Sequence, residues 1–173
     1  MSPRAAWRLE SLGFAEVYDY AAGKADWLAW GLPREGRAAQ LPTVGEVARR
    51  DVPTCGLTDR VADAKARAHA AGLDACVVVN ERRVVLGLLR SQELETADPA
   101  TTAEQVMRAG PTTYRPNVLA REAGARMRER QVAVLLVTTP DGTLVGLLRR
   151  EAAEAAVGGR APRASKSAPD TMT

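Results

Sequence analysis

The stretch Gly87-Leu88-Leu89-Arg90 returns 59 residues later as Gly146-Leu147-Leu148-Arg149. Working outward from it, residues 43–95 lie over 102–154 at that constant offset, without a gap. Thr43 falls on Thr102, Val47 on Val106, Arg49 on Arg108 and Thr54 on Thr113; Ala64, Ala66 and Arg67 fall on Ala123, Ala125 and Arg126. An internal repeat outranks other local signals because it fixes the architecture. A unit of roughly 55 residues is marginal alone by surface-to-volume scaling. The two copies are therefore expected to pack on each other as a pseudo-symmetric pair, and clefts form at such interfaces.

Each copy reads as the same order of elements. Thr43-x-x-Glu46 and Thr102-x-x-Gln105 are capping boxes that open a leading helix. A short extended piece follows at 52–54 and 111–113. Next comes a helix, over 59–71 and 118–130, with Asp59 and Asn117 as candidate N-caps. Gly72 stops the first of these helices. A hairpin of apolar strands spans 75–79 and 84–89, turning at 80–83. Its counterpart spans 132–138 and 143–148, turning at Pro140-Asp141-Gly142. Near-continuous apolar runs of this length predict strands covered on both faces. A final helix starts near Ser91 and near Arg150. The fold class is α/β (α+β): two β-α-β-β-α repeats, 43–97 and 102–156, packed pseudo-symmetrically.

Residues 1–33 are different. Ser2-Pro3 starts a helix, and Gly13 stops it. Residues 14–19 read as a short strand, and 23–30 as a second helix closed by Gly31 and Pro33. This is a small helix-strand-helix appendage, joined by a polar linker at 34–42. Residues 158–173 are rich in Gly, Pro, Ser and Ala and read as a disordered tail.

The 173 residues carry a net charge of +3, almost all of the positive charge being arginine; the lysines are Lys24, Lys65 and Lys166. Such a balance reads as a solvated surface, and nucleic-acid binding is not expected. No apolar run approaches the roughly 20 residues of a membrane span, and the N-terminus lacks a signal-peptide core. Two cysteines, Cys55 and Cys76, make neither a disulfide scaffold nor a four-cysteine zinc site. A reducing cytoplasm fits. The one histidine, His69, has no second ligand in sight, so no metal is expected.

The gapless repeat, the element order and the glycine that interrupts the third strand together resemble a tandem CBS-domain pair, or Bateman module. The resemblance covers residue 43 to about 156. It implies a non-enzymatic regulatory module that binds an adenine nucleotide (AMP, ADP or ATP-like) in the inter-repeat cleft, requires no cofactor, and forms a homodimer through its repeats. It also nominates ligand-contacting positions. Thr54, Cys55, Thr113 and Tyr114 sit where family members contact the base, with Tyr114 able to stack. Cys76 falls on Leu135; both read as buried strand positions and stand in the candidate set with the cleft residues. Gly87 and Gly146 mark the point that faces the nucleotide in the family, helix-against-strand packing being the other reading. Where the family places a phosphate-binding Ser/Thr this chain has Arg90, followed by Ser91, and Arg149. Where it places a ribose-binding Asp this chain has Glu93 and Ala152. The arginines can bind phosphate bidentately or pair with neighbouring acids such as Glu151. Ala152 accepts nothing, so at most one cleft, the one using Glu93, is expected to bind in the family manner.

The string Arg8-Leu9-Glu10-x-Leu12-Gly13-Phe14, Val17-Tyr18-Asp19-Tyr20, Gly23-x-x-x-Trp27-x-x-x-Gly31-x-Pro33 resembles the C-terminal end of a rhodanese (sulfurtransferase) domain, the catalytic cysteine loop of which would precede it. Cys55 to Arg60 is similar to such a loop in spacing but lies on the wrong side of this stretch, and Cys55 is read as an ordinary cleft position. Two alternatives to the ligand-sensing module stay open. One is a dimerisation scaffold with degenerate clefts. The other is a truncated piece of a rhodanese–CBS fusion sulfurtransferase.

Overall fold

The structure, a computed structural model, describes residues 3–36 and 39–157. The tail 158–173 and the helix-starting Ser2 lie outside the described residues. The appendage contributes α1 (Pro3–Ser11) and α2 (Gly23–Ala29). The first repeat contains α3 (Val44–Val47), β1 (Thr54–Cys55), α4 (Val61–Ala70), β2 (Ala75–Val79), β3 (Val85–Arg90) and α5 (Ser91–Thr96). The second contains α6 (Ala103–Val106), β4 (Arg108–Ala109), β5 (Thr113–Tyr114), α7 (Ala120–Glu129), β6 (Val134–Thr138), β7 (Leu144–Arg149) and α8 (Arg150–Val157).

β1 runs parallel to β2 and β5 to β6, while β2 with β3 and β6 with β7 form antiparallel hairpins. The equivalent registers match: Val77 opposes Leu88, and Leu136 opposes Leu147. Successive strand side chains point to opposite faces. Cys76, Val78 and Leu89 therefore meet Ala64 and Ala68 of α4 on one face, while Val77 and Leu88 point to the other, against Leu136, Leu144 and Leu147. This inter-repeat layer is built from both sheets. Fully burying each such Val or Leu contributes about 1.5–3 kcal/mol.

The leading helices are exchanged. Val44 and Ala48, from the first repeat's leader, lie in the core of the second with Ala123, Met127, Leu135 and Leu148. Ala103, Val106 and Met107, from the second repeat's leader, lie in the core of the first. The exchange continues in the sheets: β4 pairs with β3, and Arg49 bridges to Leu147 of β7. Gly87 and Gly146 make this possible. A Cβ on Gly87 would collide with the Met107 side chain, and one on Gly146 would sit 2.6 Å from the Arg49 carbonyl oxygen. Both glycines are thus seats for the incoming leader and do not open onto a cleft, so the packing reading holds over the nucleotide-facing one.

Two local expectations change. Helices α4 and α7 are preceded by Arg60 and Leu119, not capped by Asp59 and Asn117. Their free N–H groups are met by backbone of the exchanged leaders: Val61 N–H donates to Thr101, and Ala120 N–H to Pro42. The first capping box, by contrast, is present as read: Thr43 N–H donates to the Glu46 carboxylate at 2.8 Å, and the Thr43 hydroxyl donates to the same group. Residues 14–19 form no strand, since no ladder pairs with them among the described residues. The appendage is held to α3 through buried Leu28 and Ala29 and by Arg50 donating to the Ala29 carbonyl at 2.6 Å.

Candidate functional site

The two hairpins meet reciprocally at their turns. Val85 N–H donates to Gly142, and Leu144 N–H donates to Arg83. At the opposite end the sheets part. There a cavity of about 480 Å³ is floored by Leu73, Ala75, Leu88, Val132, Val134 and Leu147. Its rim carries Arg90, Ser91 and Arg149, with Asp74 and Glu151 as the acidic members. Most of this lining comes in pairs related by the 59-residue offset: Leu73 with Val132, Ala75 with Val134, Leu88 with Leu147, Arg90 with Arg149. The cavity therefore straddles the pseudo-two-fold relation between the repeats.

Arg90 and Arg149 end β3 and β7, so each guanidinium projects from the last residue of a buried strand. Both are exposed, and neither guanidinium has an ion-pair or hydrogen-bond partner among the described residues. The pairing with neighbouring acids is not formed. An apolar floor beneath two uncommitted guanidinium groups suits a flat apolar ring system carrying an anionic group.

Glu93 is committed elsewhere. Its carboxylate accepts from Arg90 N–H at 3.0 Å and from Arg108 Nε at 2.6 Å, while Arg108 also donates to Gln92. Burial by itself pushes the Glu93 carboxyl up, but the Arg108 guanidinium and the Arg90 N–H outweigh it and hold the group below its ordinary value. In the second repeat Ala152 stands at this place, and Arg49, the counterpart of Arg108, turns to Asp51 and the Ala71 carbonyl.

The remaining sequence-nominated residues do not reach the cavity. Cys76 and Leu135 lie in the two repeat cores, on the sheet faces opposite Val77 and Leu136. Tyr114 packs against the second core, and Thr113 pairs with Leu136 beside it. Thr54 carbonyl accepts from Arg67. Cys55 is 3% exposed and shares a hydrogen bond with the Cys76 thiol. That bond draws Cys55 below the usual thiol range against its burial and pushes Cys76 far up. Arg67 is turned to Asp59, whose carboxyl it holds below the ordinary value together with the Gly56 N–H. The floor was missed by sequence reasoning. The signal for it was present in the residues just before β2 and β6, which the repeat places in register.

Comparison with known proteins agrees with this geometry. The CBS domain family matches residues 103–156. No curated protein matches the chain in sequence. Among solved structures, the cytosolic domain of the Mg2+ channel MgtE in complex with ATP superposes with a TM-score of 0.61 at 20% identity, over 68% of this chain and 50% of that one. The chain thus spans half the length of that structure. The CBS domains of a transcriptional regulator from Streptococcus pneumoniae give 0.60 at 21% identity, over 65% and 97%. CBSX2 in complex with AMP gives 0.59 at 19%, over 67% and 96%. The second repeat is thus similar to the CBS domain family, and the two repeats together have the fold of a CBS-domain pair.

Proposed function

We propose that the protein is a non-enzymatic regulatory module that senses an adenine nucleotide in the cleft between its repeats, acting as a homodimer. The observation that carries this reading is the pair of unpartnered arginines, Arg90 and Arg149, over one apolar floor. The base lies against Leu88, Leu147 and their neighbours, and the phosphate is held by one or both guanidinium groups. Structures of the same fold contain ATP and AMP, which supports the ligand class. The test is a thermal melt of the full chain with millimolar AMP, ADP, ATP and S-adenosylmethionine. Ligand at 100-fold above its Kd adds about 2.7 kcal/mol to native stability, a shift of several degrees for a chain of this size. No shift with any of the four overturns adenine-nucleotide sensing.

A second reading, a dimerisation scaffold with degenerate clefts, is favoured by one observation. Neither repeat offers a free acid at the ribose position, since Glu93 is held by Arg108 and Ala152 has none. A tight dimer in sedimentation with no nucleotide response selects this reading. The appendage is read as the C-terminal end of a rhodanese domain. Its two helices and the Trp27 indole N–H donating to the Pro33 carbonyl at 2.7 Å support that reading. No thiosulfate:cyanide turnover by this chain is expected.

A further inference from the structure

The appendage builds a second cavity, which shares no lining residue with the inter-repeat cleft. It measures about 530 Å³ and is lined by Tyr18, Asp19, Tyr20, Gly23, Lys24 and Trp27. Three of its six wall residues are aromatic, in a chain whose aromatic content is only 4%. The Tyr20 and Trp27 rings stand with centroids 5.3 Å apart and planes at 89°, forming a right-angled corner. Both rings are pinned at their polar ends. The Tyr20 hydroxyl donates to Asp26, and the Trp27 indole N–H donates to the Pro33 carbonyl. With those polar groups occupied, what the rings offer the cavity is their apolar surface. Gly23, at φ +76°, turns the chain into α2 and places no side chain in the space.

The geometry points to a binding site for a methylated ammonium cation. Aromatic faces carry negative charge density and attract a cation lying within about 6 Å of the ring. Ring planes at right angles concentrate that attraction at one corner. A bare ammonium would lose water and bring no apolar surface to the rings. A trimethylammonium group instead brings methyl surface to an apolar wall and keeps its charge. Lys24 is the one opposing charge in the lining. It weakens the site without closing it, because it is exposed and its long stem lets the ammonium group stay in water. The trimethylammonium group can belong to a free small molecule or to a trimethylated lysine of another protein.

The experiment follows tryptophan fluorescence and calorimetry on the full chain. It titrates choline, tetramethylammonium, the neutral choline isostere 3,3-dimethylbutan-1-ol, and a trimethyllysine peptide beside its unmodified form. Saturable binding of the cations is expected, at least about 10-fold tighter than the neutral isostere. Tyr18→Ala weakens it severalfold, and Lys24→Met tightens it. Tyr18 is 79% exposed, so the Tyr18 variant leaves folding intact. Tighter binding of the trimethyllysine peptide than of choline assigns the source to a protein; the reverse assigns it to a small molecule. Equal binding of the neutral isostere, or no saturation by any cation in a chain whose melt is native-like, overturns the site.

Discussion

The two repeats share a framework and part at the polar position beside the cleft, Glu93 in one and Ala152 in the other. In the first, Arg108 of the incoming leader grips Glu93 and Gln92 beside the cleft. In the second, Arg49 finds Ala152 where an acid would be and turns away to Asp51 and a carbonyl. Their apolar layers are nevertheless superimposable in register, Val77 on Leu88 matching Leu136 on Leu147. Duplication keeps what packing enforces, since a core tolerates little change of volume. Exposed ion pairs contribute only about 0–1 kcal/mol and are free to diverge. The same asymmetry appears at the glycine seats. Gly87 faces the flexible end of Met107, whereas Gly146 faces the backbone of Arg49.

That last contrast gives the largest expected effect. Gly146→Ala drives a methyl into a backbone carbonyl that cannot move without breaking the Arg49–Leu147 bridge, and should cost about 3 kcal/mol. Gly87→Ala asks that Met107 change rotamer and its Cβ, 3.1 Å away, give by a few tenths of an ångström, and should cost less, about 1–2 kcal/mol. Urea unfolding of the two variants measures the gap; equal costs would mean that the two leaders are seated alike. Next in size is the cleft. Arg90→Ala and Arg149→Ala should each weaken nucleotide binding about 10-fold, a charge-assisted hydrogen bond being worth about 1.5–3 kcal/mol, and the double variant should abolish the thermal shift. If one single variant carries the whole loss, the ligand sits on one repeat and does not straddle both.

The smallest effect is the Glu93–Arg108 pair. Glu93→Gln should cost no more than about 1 kcal/mol at neutral pH. The Glu93 carboxyl is held below its ordinary 4.5 in the folded chain. A depressed folded value means that the pair's contribution is complete above pH 4.5 and is lost as pH falls through the folded value. The stability difference between wild type and Glu93→Gln should therefore shrink between pH 6 and pH 3. A difference that stays constant over that range sinks the assignment, and so does an equal pH response from Ala152→Glu, because Arg49 is already committed.

Arg90 and Arg149 were legible because they close the repeated tetrapeptide, and the chain order of helices and strands followed from capping boxes and apolar runs. Other features were not legible, each for a physical reason. The cavity floor is made of ordinary core residues, Leu73 and Val132 among them, which become a floor only where the two sheets diverge. The commitment of Glu93 to Arg108 spans 15 residues and depends on β4 lying beside β3. Asp59, a natural N-cap in sequence, was drawn off by Arg67 because α4 obtained its capping acceptors from the backbone of residues 99–101.

By itself the sequence determined that there are two equivalent units, which strands are buried on both faces, and where a glycine interrupts each third strand. Those are local patterns, written in spacing and side-chain type. Only the tertiary structure decided that each unit lends its leading helix to the other, and what each glycine is for. A leader and its seat repeat with the same offset whether a unit keeps its own helix or exchanges it, so the sequence is silent between the two arrangements. Three-dimensional packing breaks the tie: Met107 and the Arg49 carbonyl occupy the space left by glycines of the opposite repeat.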